Sequence, residues 1–165
     1  MKLYVIRHAI AAAPAHLPDA MRPLSTEGQR KFRLAAKGLT RLKPRIDLIL
    51  FSPLLRARQT AEILAEALEG ICRRPIHLEK ADCLAPPGRL DAFILQLMEL
   101  KKAATGVAVV GHEPVLSDWI GQICFNEPGR CELKKGGIAL LELEASAGRG
   151  KLKYLLPPGV LRKMV

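Results

Sequence analysis

Residues 3–9 have the sequence Leu-Tyr-Val-Ile-Arg-His-Ala, an apolar run that ends abruptly in an arginine and a histidine. Four consecutive apolar residues, with β-branched and aromatic side chains among them, predict a strand that is buried on both faces. Strands of this kind belong mainly to parallel sheets, whose ligands bind beyond the carboxyl ends of the strands. Arg7 and His8 are therefore predicted to lie where a site forms.

Further buried strands alternate with amphipathic helices along the chain. Three more apolar runs predict strands, at residues 46–51, 76–78 and 107–110. Residues 138–143 and 151–156 flank a turn rich in small residues and predict a hairpin. We therefore expect an α/β fold, a three-layer α/β/α sandwich with a mainly parallel central sheet and an antiparallel C-terminal addition.

Two of the predicted helices carry signals for their first residues. Thr26 and Gln29 have the spacing of a capping box. Ser52 followed by Pro53 is typical of an N-cap and the first helical position of the next helix. Arg56 then falls in the first turn of that helix, where free backbone N–H groups and the helix dipole favour an anion.

The composition sets limits on the class of protein. A chain of 165 residues suits a single domain spanning residues 1–165, and its 49% hydrophobic and 25% charged content is ordinary for a globular protein. No stretch approaches 18 apolar residues, so no membrane segment is expected. The four cysteines lack a CxxC spacing and are interpreted as reduced thiols, which predicts a cytoplasmic location.

The net charge of +10 points to an anionic partner. The lysines and arginines are scattered along the chain, and aromatic residues for base stacking are few, which disfavours nucleic acid as that partner. A phosphate-bearing substrate fits better. The sequence gives no indication of the oligomeric state.

Polar residues follow three of the predicted strands: Arg7-His8, the segment from Ser52 to Arg56, and Gly111-His112. Two histidines and two arginines without a pattern of cysteines or carboxylates make a poor metal site and a good phosphate site. A guanidinium holds phosphate oxygens bidentately, and an imidazole serves as nucleophile or donor. The sequence therefore predicts a phosphate site without a metal or a cofactor.

Three motifs occur in a fixed order over most of the chain, at residues 5–9, at residues 52–57 with Gln59-Thr60, and at residues 110–112. In order and spacing they resemble the motifs of the histidine phosphatase superfamily, which includes the cofactor-dependent phosphoglycerate mutases. Within it the chain is most similar to the short SixA-type phosphohistidine phosphatases, whose segment after the first motif is matched by residues 22–28.

The resemblance implies a role for each polar residue. His8 would be the nucleophile that attacks phosphorus and becomes phosphorylated before water releases phosphate. Arg7 and Arg56 would bind the phosphoryl oxygens, with Arg22 as an outer contact. His112 would complete the pocket by donating a hydrogen bond or by orienting the incoming group.

A general acid is harder to assign. Larger relatives place a carboxylic acid between the second motif and the third strand, where it protonates an alkoxide leaving group. Glu79 and Asp82 lie in that interval, and Glu113 adjoins His112, although its position equally suits stabilisation of a helix N-terminus. If none of them acts, the enzyme would suit a leaving group that departs easily, such as the imidazole of a phosphohistidine.

Four functions remain open at this point. The favoured one is a phosphatase acting on a phosphorylated protein, for example a histidine-phosphotransfer domain or a carrier. The second is a phosphatase for small phosphomonoesters, which requires an essential acid among Glu79, Asp82 and Glu113. The third is a phosphate-binding module without turnover, and the fourth is a nucleic-acid binder.

Overall fold

The strands of the chain form one mixed sheet. The computed structural model describes residues 1–13, 16–72, 75–100, 104–144 and 148–165, with Cys72 described by its backbone alone. Within these residues the strands are β1 (Lys2–Arg7), β2 (Leu48–Phe51), β3 (His77–Lys80), β4 (Gly106–Gly111), β5 (Ile138–Leu143) and β6 (Gly150–Leu156). Their order across the sheet is β3-β2-β4-β1-β5-β6.

The first four strands are parallel and the last two are antiparallel. β1 pairs in parallel with β4, and β2 pairs in parallel with both β4 and β3. β5 runs antiparallel to β1, and β6 runs antiparallel to β5. The predicted mainly parallel sheet with an antiparallel C-terminal addition is confirmed, although β2 begins at Leu48 rather than at residue 46 and β3 extends to Lys80.

Helices cover both faces of the sheet. They are α1 (Thr26–Thr40), α2 (Leu55–Cys72), α3 (Leu90–Leu100), α4 (Val115–Phe125) and α5 (Pro158–Arg162). Tyr4 and Ile6 of β1 point into a core shared with α1, α2 and α5. Leu3 and Val5 point into a second core shared with α3 and α4. Because successive side chains of a strand alternate between faces, β1 contributes side chains to the cores on both sides of the sheet. The prediction of a three-layer fold is confirmed.

The two predicted helix starts are shifted. The N-cap of α1 is Ser25, whose hydroxyl oxygen accepts a hydrogen bond from the Gly28 N–H at 3.0 Å, so the capping box proposed for Thr26 and Gln29 is wrong. The helix α2 begins at Leu55 instead of directly after Ser52. The Ser52 hydroxyl lies 2.8 Å from Nε2 of His112, so its hydrogen bond connects the segments that follow β2 and β4.

The strand order places three chain segments side by side. Because β4 lies between β1 and β2 and all three are parallel, the residues that follow these strands meet at the carboxyl end of the sheet. The backbone ladder continues past the strand ends, since the N–H of His8 donates to Gly111 O at 3.0 Å and the N–H of Ser52 donates to Val110 O at 2.9 Å. His8 and Ser52 are therefore held to β4 by backbone hydrogen bonds, and the His112 carbonyl oxygen accepts from the Leu116 N–H at 3.0 Å.

Two further expectations concern the class of protein. Among the described residues, no helix combines the length and the apolar composition needed to cross a membrane. Cys83, Cys124 and Cys131 are free thiols, each partly buried.

Gly38 lies where α1 meets α5, and it supplies a test of this packing. A Cβ at Gly38 would lie 1.9 Å from the Leu161 carbonyl oxygen, a backbone atom that cannot move aside alone. We expect Gly38→Ala to lower the free energy of unfolding by about 1–3 kcal/mol, measured by urea denaturation. Gly70→Ala in α2 is the control, because a Cβ there meets nothing within 4 Å and alanine favours the helix by up to about 1 kcal/mol. Equal effects of both substitutions would contradict the packing.

Candidate active site

His8 lies at the carboxyl end of β1 with only 6% of its surface exposed. Its Nδ1 is 2.7 Å from the Ala9 carbonyl oxygen. A carbonyl oxygen can only accept, so Nδ1 carries the proton and Nε2 carries the lone pair. That Nε2 atom faces the Nε of Arg56 at 3.3 Å, and this N–H donates to it. The ring is therefore held in the tautomer that a nucleophilic Nε2 requires.

Two polar residues of α2 connect the segment after β1 to the helix. The Ala9 N–H donates to the Thr60 hydroxyl at 3.1 Å, and that hydroxyl donates to the Arg56 carbonyl oxygen at 2.7 Å. The Leu24 N–H donates to the Gln59 side-chain oxygen at 2.7 Å. Thr60 thus holds the backbone next to His8, and Gln59 holds the chain at Leu24, roles that no local sequence pattern indicates.

His112 follows β4 and is 3% exposed. Its Nε2 lies 2.8 Å from the Ser52 hydroxyl, and the same hydroxyl oxygen is 3.5 Å from the Leu54 N–H. A hydroxyl that accepts from Leu54 can donate its own proton to Nε2, which leaves the ring proton on Nδ1. The rings of His8 and His112 are 5.0 Å apart, centroid to centroid. With this direction of the Ser52 hydrogen bond, the Nδ1–H of His112 is available to a ligand.

Arg56 is bound on all three of its nitrogens. Besides the contact of Nε with His8, its Nη1 donates to the Asp19 carbonyl oxygen at 2.8 Å and its Nη2 to the Asp19 carboxylate at 3.0 Å. The other carboxylate oxygen of Asp19 lies 3.2 Å from Nη1 of Arg22. One carboxylate thus bridges two of the arginines that the sequence assigns to phosphate.

The Arg7 side chain is held by a carbonyl group of the segment between α4 and β5. Its Nη1 donates to Leu133 O at 2.9 Å. The N–H of Leu133 donates to the Glu113 carboxylate at 3.1 Å, and the Ser117 hydroxyl donates to the same carboxylate oxygen at 2.6 Å. Glu113 therefore joins the start of α4 to the loop that holds Arg7, which agrees with the helix-terminus role weighed for it above.

Three buried donors of this cluster have no partner in the described part of the chain: Nε of Arg7, Nε of Arg22 and Nδ1 of His112. Buried polar atoms are nearly always hydrogen-bonded, so three such atoms in one place indicate a missing acceptor. A tetrahedral oxyanion offers several oxygens with lone pairs in different directions. The chemistry of the donor set fits a phosphoryl group.

Burial and nearby cations keep both histidines neutral. Burial lowers the pKa of His8 to about 3, and the charges of His112, Arg56 and Arg7 act in the same direction, against the opposing effect of the Ala9 hydrogen bond. Burial lowers the pKa of His112 to about 4, assisted by Arg56 and Arg7, and the Asp19 charge opposes this shift. Around neutral pH the Nε2 lone pair of His8 is therefore free of a proton.

The other two candidate acids do not contact this cluster. Glu79 accepts a hydrogen bond from the Gln96 side chain at 3.3 Å, and Asp82 forms an exposed ion pair with Lys80 at 3.3 Å. Among the described residues, neither hydrogen-bonds to the histidines or to the arginines. Asp19, in contrast, lies inside the cluster and was missed, because a contact between a loop residue and an arginine 37 positions later leaves no local pattern.

Comparison with known proteins places this geometry in a family. Residues 3–81 match the sequence profile of the histidine phosphatase superfamily (branch 1). The chain is 30% identical over 158 residues to the phosphohistidine phosphatase SixA of Escherichia coli, a match that covers 96% of this chain and 94% of that protein. The chain belongs to the histidine phosphatase superfamily. The resemblance inferred from the three motifs is confirmed, and membership supports a phosphatase.

Two further comparisons cover most of the chain. An uncharacterized protein of Picosynechococcus sp. is 42% identical over 152 residues, which cover 90% of this chain and 88% of that one. The solved structure of the protein histidine phosphatase SixA complexed with tungstate superposes with a TM-score of 0.86 at 30% identity, over 98% of this chain and 99% of that one. The α/β fold of the superfamily is thus shared over nearly the whole chain.

The two neutral histidines make the stability of the fold depend on pH. Their folded pKa values, about 3 and 4, lie below the ordinary 6.5, so the unfolded chain binds more protons below pH 6.5. Their contribution to stability is complete above that pH and is lost as the pH falls towards the folded values. We expect the unfolding free energy, measured in urea from pH 7 to about pH 4, to decline less steeply in a His8→Asn/His112→Asn variant. Equal slopes would contradict the neutral state of the rings.

Proposed function

We propose that this histidine phosphatase hydrolyses phosphohistidine on a protein, through a phosphorylated His8. The observation that carries the proposal is the state of the His8 ring, which is neutral, is protonated on Nδ1 by its contact with the Ala9 carbonyl, and directs its Nε2 lone pair at Arg56. The relative and the solved structure named SixA are a phosphohistidine phosphatase and a protein histidine phosphatase, which supports the same substrate class.

In the first step Nε2 of His8 attacks phosphorus. A bond forms between Nε2 and phosphorus while the bond from phosphorus to the substrate nitrogen breaks, and its electron pair leaves with the substrate imidazole. Arg7, Arg22 and Arg56 bind the equatorial oxygens, and the Nδ1–H of His112 donates to one of them. Fixed donors directed at these oxygens are the largest contribution that a protein makes to phosphoryl transfer.

In the second step water attacks the phosphorus of phosphorylated His8. The bond to Nε2 breaks, its electron pair returns to Nε2, and a water proton remains with the released phosphate or passes to solvent. His8 regains its neutral state. One bound phosphoryl group therefore undergoes two displacements, and the buried donors serve both.

The leaving group favours phosphohistidine over a phosphomonoester. An alkoxide needs a proton as it departs, whereas an imidazole protonated on its other nitrogen leaves as a neutral molecule. Glu79 and Asp82 do not hydrogen-bond to the phosphate residues, and both oxygens of Glu113 accept hydrogen bonds from Ser117. Arg56 lowers the pKa of the Asp19 carboxyl, so this group is ionised and a poor proton donor.

The surface beside the site suits a protein substrate. Leu17 and Met21, each more than half exposed, stand two residues on either side of Asp19. Exposed apolar side chains next to a buried polar site offer contacts to a folded partner that a small phosphate ester cannot use. We propose that they contact the protein that bears the phosphohistidine, which would be a component of a signalling relay or a carrier.

The proposal also covers metal dependence, cellular location and domain organisation. Metal-independent turnover is supported by the cations Arg7, Arg22 and Arg56, which supply the charge that a metal would otherwise bring. No cofactor is required by the two steps above. A cytoplasmic location is supported by the free thiols of the chain, and action as one domain is supported by the single sheet that contains the described strands.

Phosphate release from two substrates tests the proposed reaction. We expect the enzyme, in the presence of a chelator, to release phosphate from a phosphohistidine-bearing carrier protein and not from a phosphoserine peptide. His8→Ala should reduce this release to background, because the substitution removes the proposed nucleophile.

The other outcomes of this test are decisive as well. Equal or faster release from phosphoserine would contradict the leaving-group argument and make Glu79, Asp82 and Glu113 the next residues to substitute. Loss of release in chelator would contradict metal independence. No release from either substrate would favour a phosphate-binding module.

A pair of substitutions tests the protein substrate. We expect a Leu17→Ser/Met21→Ser variant to lower kcat/KM for the phosphorylated carrier severalfold and to leave kcat/KM for phosphoramidate unchanged, because only the protein contacts the loop. Leu95→Ser/Met98→Ser is the matched control, since these side chains are also exposed but lie on α3. Equal losses for both substrates, or in the control, would contradict a docking role.

A further inference from the structure

The Asp19 carboxylate occupies a position with an unusual set of neighbours. It bridges Nη2 of Arg56 at 3.0 Å and Nη1 of Arg22 at 3.2 Å, while the Asp19 backbone oxygen holds Nη1 of Arg56. The Arg56 side chain is 8% exposed and the Asp19 side chain is 62% exposed. A solvent-facing carboxylate therefore contacts a buried cation that belongs to the proposed phosphate site.

These contacts engage three of the five N–H donors of Arg56. Each of its nitrogens has a partner inside the protein, with Nε on His8 and the other two on Asp19. A guanidinium binds a phosphoryl group best through two parallel N–H bonds, and here both Nη atoms already donate to Asp19. An incoming phosphoryl group therefore competes with the Asp19 carboxylate for the charge and the Nη atoms of Arg56.

The donors around the site respond differently to a carboxylate and to a phosphoryl group. The carboxylate satisfies Nη atoms of Arg56 and Arg22 but leaves the Nε atoms of Arg7 and Arg22 and the Nδ1 of His112 without partners. A tetrahedral dianion can reach the arginines and these donors together. A ligand with a single carboxylate would only replace the Asp19 carboxylate with its own, so it would gain little binding free energy.

We propose that Asp19 acts as an internal competitor of the phosphoryl group for Arg56 and Arg22, so that a ligand must displace the carboxylate from these two side chains in order to bind. Asp19 would thereby select phosphoryl dianions over the carboxylates of ordinary proteins and metabolites. This inference rests on the proposed function for the identity of the substrate, but the competition itself concerns the binding of any oxyanion.

Binding of orthophosphate and acetate by calorimetry tests the competition without turnover. We expect Asp19→Asn to lower the Kd for orthophosphate by about three- to tenfold, which corresponds to an open fraction of roughly a third to a tenth in the wild type. Acetate should bind measurably to Asp19→Asn and not to the wild type. With the phosphohistidine carrier, KM should fall with the Kd for phosphate, and kcat should not rise.

Asp91→Asn is the matched control. Asp91 is also an exposed carboxylate, 68% accessible, and it pairs with Arg89 at 2.9 Å on the first turn of α3, so the change of net charge is the same. We expect no change in the Kd for phosphate in this variant. An equal gain in both variants would overturn the proposal, because the effect would then be one of overall charge.

Weaker phosphate binding in Asp19→Asn, with a lower kcat, would also overturn the proposal and make Asp19 a residue that positions Arg56. The proposed function and the competition by Asp19 can be refuted independently of each other. Tighter phosphate binding in a protein that does not hydrolyse phosphohistidine would refute the proposed function alone. Active enzyme whose Kd for phosphate is unchanged in Asp19→Asn would refute the competition alone.

Discussion

The parallel pairing of β4 with β1 on one side and with β2 on the other is the constraint on which the site depends. Arg7 is in register with Gly111, and Phe51 is in register with Val110, so these three strands end at nearly the same level. A slip of one residue in either pairing would turn the following side chain to the other face of the sheet. The short distance between the two histidine rings is thus a property of the sheet.

Gathering three arginines around two imidazoles concentrates positive charge in a buried place. The protein limits the repulsion by keeping both rings neutral, since burial and the neighbouring arginines lower the pKa values of His8 and His112. The arginines keep their charge and require an anion instead. Asp19 supplies one to Arg56 and Arg22, and three buried nitrogen atoms of the cluster have no partner among the described residues. The electrostatics of the pocket are therefore complete only when a ligand with several oxygens is bound.

Sequence reasoning succeeded where the signal is periodic and failed where it depends on distant contacts. The buried run of β1 and the C-terminal hairpin are local patterns, and both were predicted. Helix α5 was missed because five residues that include a proline and a glycine make no amphipathic pattern. The start of α2 was misplaced because Ser52 hydrogen-bonds to His112, 60 positions away. Asp19 escaped for the same reason, although Arg22 beside it was identified.

The contact between Arg56 and His8 joins the two residues to which the proposed reaction assigns phosphate binding and nucleophilic attack. The Nε–H of Arg56 donates to the lone pair of Nε2, the same lone pair that would attack phosphorus in the proposed reaction. Asp19 engages the other two nitrogens of the same guanidinium. The side chain that would bind the phosphoryl group is therefore also the one that holds the Nε2 lone pair. In the proposed reaction, substrate binding and release of this lone pair are linked through Arg56.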